Sequence, residues 1–267
     1  MVVDRQRLLG APHIYYLTLQ TALDQPVFTE EAERDDFLEL LELVRTVFAA
    51  QLFGWRLDSA QIHLALRLDP RIRDPEARLD LLGSRNHPSH ERLQQRLGSI
   101  GSLMQCLGQR FAHRSHARHG SRGHFWAGRY RNCLLADDAA LLASIAWLER
   151  PGAASSACHR GGDRPPRLSR LPLRVLPGGL AVPADEAQLG FPPPAPTDEH
   201  QAFQAFCQEL DEDSLRSYGQ ALTRGWALGR PESLTESLDR LGRSSGRGRS
   251  RQIRELEDWQ GLCGLWG

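Results

Sequence analysis

From Arg92 to Ala136 the chain carries no Asp or Glu, yet it holds Arg92, Arg96, Arg110, Arg114, Arg118, Arg122, Arg129 and Arg131 together with His113, His116, His119 and His124. Phe111, Phe125, Trp126 and Tyr130 are interleaved with these cations. Guanidinium forks hold phosphates and ring faces accept bases, so residues of these types suit a flexible polyanion. A solvated cationic face beside a few core aromatics has the same composition, and composition alone does not separate the two. His113, His116 and His119, spaced by three, drift around a helix and make a poor metal face; they read as phosphate-facing or simply exposed. A second basic stretch, Arg240, Arg243, Arg247, Arg249, Arg251 and Arg254 among Gly and Ser, reads as a mobile arm.

The whole-chain balance hides this strip. The 267 residues have a formal net charge of zero and a pI near 7.2, but residues 1–91 hold ten Arg against fifteen Asp and Glu. A local basic patch is what matters to a polyanion, so neutrality overall does not exclude one. Every residue counted as Lys or Arg is in fact Arg. A hydrophobic fraction of 40% supports one good core with room for a smaller appended unit. Five cysteines, Cys106, Cys133, Cys158, Cys207 and Cys263, include no C-x-x-C pair. They read as reduced thiols of a cytoplasmic protein and not as a disulfide framework or zinc site. The first residues lack the apolar run of a signal peptide, and no stretch reaches membrane-spanning length, so a soluble protein with no membrane partner is expected.

The elements that must position the strip follow from periodicity. His13–Thr21 reads as a strand, and a helix from an N-cap at Thr29 to about Leu52 carries Phe37, Leu40, Leu41, Val44, Val47 and Phe48 on its buried stripe. Phe53–Leu57 and Ile62–Leu68 read as strands, the second alternating. One long helix from Glu91 carries Leu93, Leu97, Ile100, Leu107 and Phe111 on one face, with Arg92, Arg96, Gln105, Gln109 and Arg110 elsewhere on its circumference. Arg129–Ala136 supplies a fourth strand, and Asp137–Leu148 a helix capped by Asp137 or Asp138. The order β-α-β-β-α-β-α predicts an α+β fold, a ferredoxin-like split βαβ sheet with two helices on one face and one face or edge left for ligand. Residues 1–150 form this expected domain and 151–197 a Pro/Gly-rich connector. Residues 198–267 form an expected α-helical extension: Asp198–Leu210, Glu212–Trp226, Glu232–Leu241 and a last helix over Ile253–Trp266.

Two blocks carry a family resemblance. His124–Asn132, H-F-W-A-G-R-Y-R-N, followed by a strand-like Cys133–Ala136 and a helix opened by Asp137, resembles the tyrosine transposases of the IS200-like superfamily, nearest their REP-associated branch. Arg224–Gly229, R-G-W-A-L-G, followed by a short helix and an Arg/Gly-rich segment, resembles the C-terminal region of longer members. The resemblance covers roughly His13–Leu148 and Asp211–Arg251. It implies the same split βαβ fold and a single-metal nuclease of the HUH type that binds hairpin DNA and attacks it with a tyrosine.

The family's chemistry maps incompletely onto this chain. Its metal-binding histidine–hydrophobic–histidine corresponds to Gln61-Ile62-His63, where the first histidine is a glutamine. The helix that should bear the nucleophile reads Ser144–Glu149 and holds no tyrosine; with Ile145 in the tyrosine's place, Glu149 falls one turn on, where the family draws a further ligand. The resemblance therefore implies a metal pocket of Gln61, His63 and Glu149 for Mg²⁺ or Mn²⁺ if the site is retained, and otherwise no cofactor. Tyr130 is either a replacement nucleophile or a ring packed beside Trp126, and Ser144 lacks an evident activating base. Without phenolate and cation, strand transfer should fail while binding persists. The expected DNA-binding set is Arg92, Arg96, Arg110, Arg114, Arg118, Arg122, His124, Trp126, Arg129, Arg131, Arg247, Arg249 and Arg251. Three readings stay open: a protein, monomer or homodimer, that binds hairpin or single-stranded DNA without cutting it; an active transposase with a rearranged site; and a protein-interaction module that kept only the fold.

Overall fold

The structure, a computed structural model, describes residues 13–68, 75, 78, 89–149, 173–175, 181–183, 212–242, 252–256 and 262–266. The order is β1 (His13–Gln20), α1 (Glu31–Val47), β2 (Ala50–Leu57), β3 (Gln61–Leu68), α2 (His90–Leu97), α3 (Ile100–His119), β4 (Arg131–Leu135) and α4 (Asp138–Glu149). There follow β5 (Leu173–Val175), β6 (Ala181–Pro183), α5 (Glu212–Arg224), β7 (Ala227–Gly229), α6 (Pro231–Gly242), β8 (Gln252–Glu255) and β9 (Cys263–Trp266).

Seven strands form one sheet in the order β2-β3-β1-β4-β7-β9-β8, while β5 and β6 pair separately. Pairing is antiparallel except at β4–β7, which is parallel. The fold is thus α+β, a sheet backed by helices. Strand alternation assigns the two faces. Ile62, Leu64, Leu66 and Leu68 of β3 join Phe37, Leu40, Val44, Leu107 and Phe111 in a core under α1 and α3. Tyr16 and Ala65 point the other way, into a second core with Leu141, Ile145 and Trp147 of α4 and Tyr218 and Leu222 of α5.

Of the expected free face or free edge, that second core closes the face. The segment Ala139–Leu148 is apolar all round, and such a helix is stable only when covered on more than one side. Here α5 covers it: a Cβ built at Gly219 would stand 2.5 Å from Trp147 Nε1, so the helices cross where a glycine lets them touch. Asp137 joins the parts. Its Oδ1 caps Ala140 N at 2.9 Å, and its Oδ2 accepts from the Arg230 amide beyond β7.

Other expectations shift for local reasons. The single helix from Glu91 is two, broken at Gly98, with Ser99 capping α3 through Ser102 N. The first helix has Glu30, not Thr29, at its N-cap, and it stops at Val47 because Ala49 turns left-handed (φ 49°) and starts β2 early. The predicted terminal helix over Ile253–Trp266 is instead the hairpin pair β8–β9, which extends the sheet through β7. Pairing with β7, a non-local partner, overrides the local preference here. The predicted helix Asp198–Leu210 lies outside the described residues. No helix among the described residues is long and apolar enough to cross a membrane.

Candidate nucleic-acid interface

The segment between α3 and β4 is shaped by what it touches. α3 ends at Gly120, whose positive φ (62°) lets the chain reverse while its amide reaches His116 O. The returning strand then continues the β1 ladder: Ala22 N binds Phe125 O, Thr21 bridges Trp126, and Ala127 N binds Gln20 O. Between the Thr18–Arg131 pair and the Thr21–Trp126 bridge, β1 advances three residues and its partner five. The surplus pushes Gly128, Arg129 and Tyr130 out of the ladder, as bulges do when they re-aim side chains.

Trp126 fixes the other side of this loop. Its indole Nε1 donates to Gly108 O at 2.9 Å, and a Cβ at Gly108 would lie 3.3 Å from that nitrogen, so the close approach depends on glycine. Beneath it, Phe111 is stacked with Phe28 (5.3 Å) and meets Phe37 and Phe125 edge-on. The loop and α3 enclose a groove of about 390 Å³ whose walls include Met104, Gln105, Gln109, Trp126, Arg129 and Tyr130. The Arg129 guanidinium lies 5.5 Å from the Tyr130 ring centre.

The predicted DNA-binding cations fall into four groups. Arg92, Arg96, Arg122, His124, Arg129 and Arg131 are exposed, and among the described residues no carboxylate pairs with them. Arg110 is half-buried beside Cys106, whose thiol burial pushes up and Arg110 pulls down. Arg114, half-buried, and Arg118, exposed, pair with acids of α1: Arg114 Nη1 meets Asp36 Oδ1 at 2.8 Å, and Arg118 meets Glu33 at 2.9 Å and Asp36 at 3.3 Å. His119 also binds Glu33, and His116 bonds to Ser121 and the Gly123 carbonyl. Of the two readings, phosphate-facing or simply exposed, His119 is exposed with its Nε2 on Glu33, and His116 is half-buried with both ring nitrogens engaged. Arg247, Arg249 and Arg251 lie outside the described residues.

The residues expected to hold a metal sit on the opposite face of the sheet. Gln61 and His63 share that face of β3, but His63 is only 1% exposed and both its ring nitrogens are engaged. The network assigns the tautomer: Tyr16 O–H donates to Nδ1 (2.8 Å), Nε2–H donates to Asp58 Oδ2 (3.2 Å), and Arg56 Nε donates to Asp58 Oδ1 (2.7 Å). Trp147 of α4 lies edge-on over His63 at 5.1 Å. Among the described residues, no three His, Cys, Asp or Glu side chains gather to hold an ion, and the Glu149 side chain lies outside them. Nδ1 accepts from Tyr16 and Nε2 carries the proton given to Asp58, so neither ring nitrogen offers a lone pair and this arrangement does not fit a divalent cation.

It does not fit a tyrosine nucleophile either. Tyr16, His63 and Asp58 have the connectivity of nucleophile, base and orienter, yet Tyr16 is buried and its phenol is pushed well above the usual range by that burial. Tyr15 is likewise raised to about 12, and Tyr218 is raised by burial while donating to Ala140 O. Ser144 is fully buried and donates into its own helix. Tyr130 is half-buried and lines the groove.

Burial depresses the His63 pKa despite the pull of Asp58. The folded protein therefore keeps this imidazole neutral, while the unfolded chain takes up a proton below its ordinary value of about 6.5. Stability from this group is complete above that value and is lost as pH falls through it. The thermal midpoint is expected to drop between pH 7.5 and 5, and His63→Asn should be less stable throughout but flatter over that window. An equal slope in the variant would move the effect to another group.

Sequence reasoning missed three things here. Gln105 and Gln109 recur at helical spacing, but their facing wall is a distant loop. The partnership of Arg114 and Arg118 with α1 acids crosses about eighty residues. The Tyr16–His63–Asp58 chain required the β1–β3 register.

Compared with known proteins, the chain matches no protein-family model and no curated protein. Among solved structures it is similar to a REP-associated tyrosine transposase bound to a REP hairpin, at 8% identity and TM-score 0.36, covering 51% of this chain. The match spans 64% of that transposase. It is also similar to a Deinococcus radiodurans R1 protein assigned as a transposase, at 17% identity and TM-score 0.27, covering 49% of this chain and 84% of the other. At these values neither likeness decides function.

Proposed function

We propose that this chain is a DNA-binding protein of transposase ancestry that recognises a hairpin or single-stranded DNA element without cutting it. The observation that carries the reading is the exposed set Arg92, Arg96, Arg122, His124 and Arg129 on a stretch free of carboxylates that also contributes the aromatic-walled groove, whereas Arg131, paired with Thr18, is exposed on the His63 face of the sheet. Fixed cations displace counterions from phosphate, and ring faces take unstacked bases. The resemblance of the H-F-W-A-G-R-Y-R-N and R-G-W-A-L-G blocks supports the ancestry, as does the four-strand order β2-β3-β1-β4, which a split βαβ unit requires. Spent imidazole nitrogens at His63 and the lack of a tyrosine on α4 support binding without catalysis.

A gel shift against a hairpin with single-stranded flanks tests this reading, run with and without Mg²⁺ or Mn²⁺ and again after denaturation. A shift that vanishes on denaturation and leaves the DNA intact is the expected result. A denaturation-resistant adduct abolished by Tyr130→Phe would instead establish an active enzyme. No shift at low salt would leave the protein-interaction reading.

The α1 acids should act as a brake. Glu33→Gln with Asp36→Asn releases Arg114 and Arg118, so affinity for single strands is expected to rise several-fold. The log–log salt slope should steepen by somewhat more than one, at about 0.7 per phosphate. Unchanged affinity and slope in the folded variant would show that these two cations never meet DNA.

A further inference from the structure

The groove between α3 and the loop holds more than a phosphate strip needs. A polyanion track requires only cations, yet these walls combine Trp126 and Tyr130 with two exposed carboxamides, Gln105 and Gln109, one turn apart on α3. Arg129 stands at the same groove, thrust outward by the bulge. Trp126 is held by its hydrogen bond to Gly108 O, so the aromatic wall is in place before any ligand arrives. A carboxamide offers a donor and an acceptor together, the pair that a base edge presents, and it carries no charge for phosphate.

We propose that this groove takes a single unstacked nucleobase of a DNA strand, with Trp126 and Tyr130 as apolar walls, Gln105 and Gln109 against its edge, and Arg129 on the adjoining phosphate. The occupant is a base of a phosphodiester chain because the charged residue on its walls, Arg129, is cationic and the surrounding strip lacks carboxylates. A volume of about 390 Å³ accommodates one base with room for solvent. This inference rests on the DNA-binding reading above and adds to it a base-dependent term.

The test compares a single-stranded oligonucleotide with an abasic phosphodiester strand of equal length, titrated against the full chain and the Gln105→Ala/Gln109→Ala variant at several salt concentrations. The natural strand should bind at least about fivefold tighter than the abasic one, with the same salt slope, since one stacked base contributes that much or more. The variant should lose much of this advantage and keep its slope and its melting temperature, both substituted side chains being exposed. Equal binding of the two strands by the unaltered chain would overturn the base pocket while leaving the DNA-binding reading intact. A base advantage kept in full by the variant would overturn its assignment to this groove. Binding of neither strand would overturn both readings together.

Discussion

Replacing Arg92, Arg96, Arg122 and Arg129 together by alanine is expected to weaken single-stranded DNA binding by about two to three orders of magnitude at 0.1 M salt. Each cation that neutralises a phosphate contributes about 0.7 to the log–log salt slope for single strands, so four of them account for a slope change near three. The two binding curves should therefore converge as salt approaches 1 M, where counterion release no longer favours association. All four side chains are exposed and lack carboxylate partners among the described residues, so the fold should be unaffected. The measurement is affinity at five or six salt concentrations, with a melting curve as control. A loss below fivefold, or parallel salt lines, would mean that the strip is only a solvated face.

The second large effect concerns stability. Phe111 has no exposed surface and is the hub of the aromatic cluster, touching Phe28, Phe37, Phe125 and Trp126 with ring centres 5.2 to 6.1 Å apart. Phe111→Ala removes the transfer free energy of a buried ring and leaves a cavity that α1, α3 and the loop cannot close without moving. The expected cost is about 3–5 kcal/mol, a fall in melting temperature on the order of 10 °C for a chain of this size. Phe111→Leu should cost much less. Because Phe125 and Trp126 rest on this ring, the alanine variant should also bind DNA more weakly although every arginine remains. A melting shift of only a degree or two would show that the cluster is not what holds the loop.

Much of the frame was legible in the sequence because its signals are local. The alternation of Ile62, Leu64 and Leu66, the apolar stripe of α1 and the capping acid at Asp137 each act over a few residues. What escaped was set by partners distant in the chain. Ile253–Trp266 has an apolar spacing that suits a helix, and only the free edge offered by β7 makes two strands of it. Arg114 and Arg118 look like neighbours of Arg110 and Arg122, but Glu33 and Asp36 on another helix pair with them. The resemblance placed His63 on its strand; the buried Tyr16 and half-buried Asp58 that engage its two ring nitrogens could be found only from register.

The parallel pairing of β4 with β7 also bears on how the molecule is made. β4 is central in the finished sheet, yet one of its edges is closed by residues 227–229, which follow it in the chain only after all of residues 136–226. During synthesis that edge, with the apolar side chains of α4 beside it, necessarily exists for a time without its neighbours. An unpaired strand edge is a template for unwanted association. A nascent chain of this protein thus carries its own window of vulnerability on the ribosome, and it ends only when the β7–β9–β8 group docks.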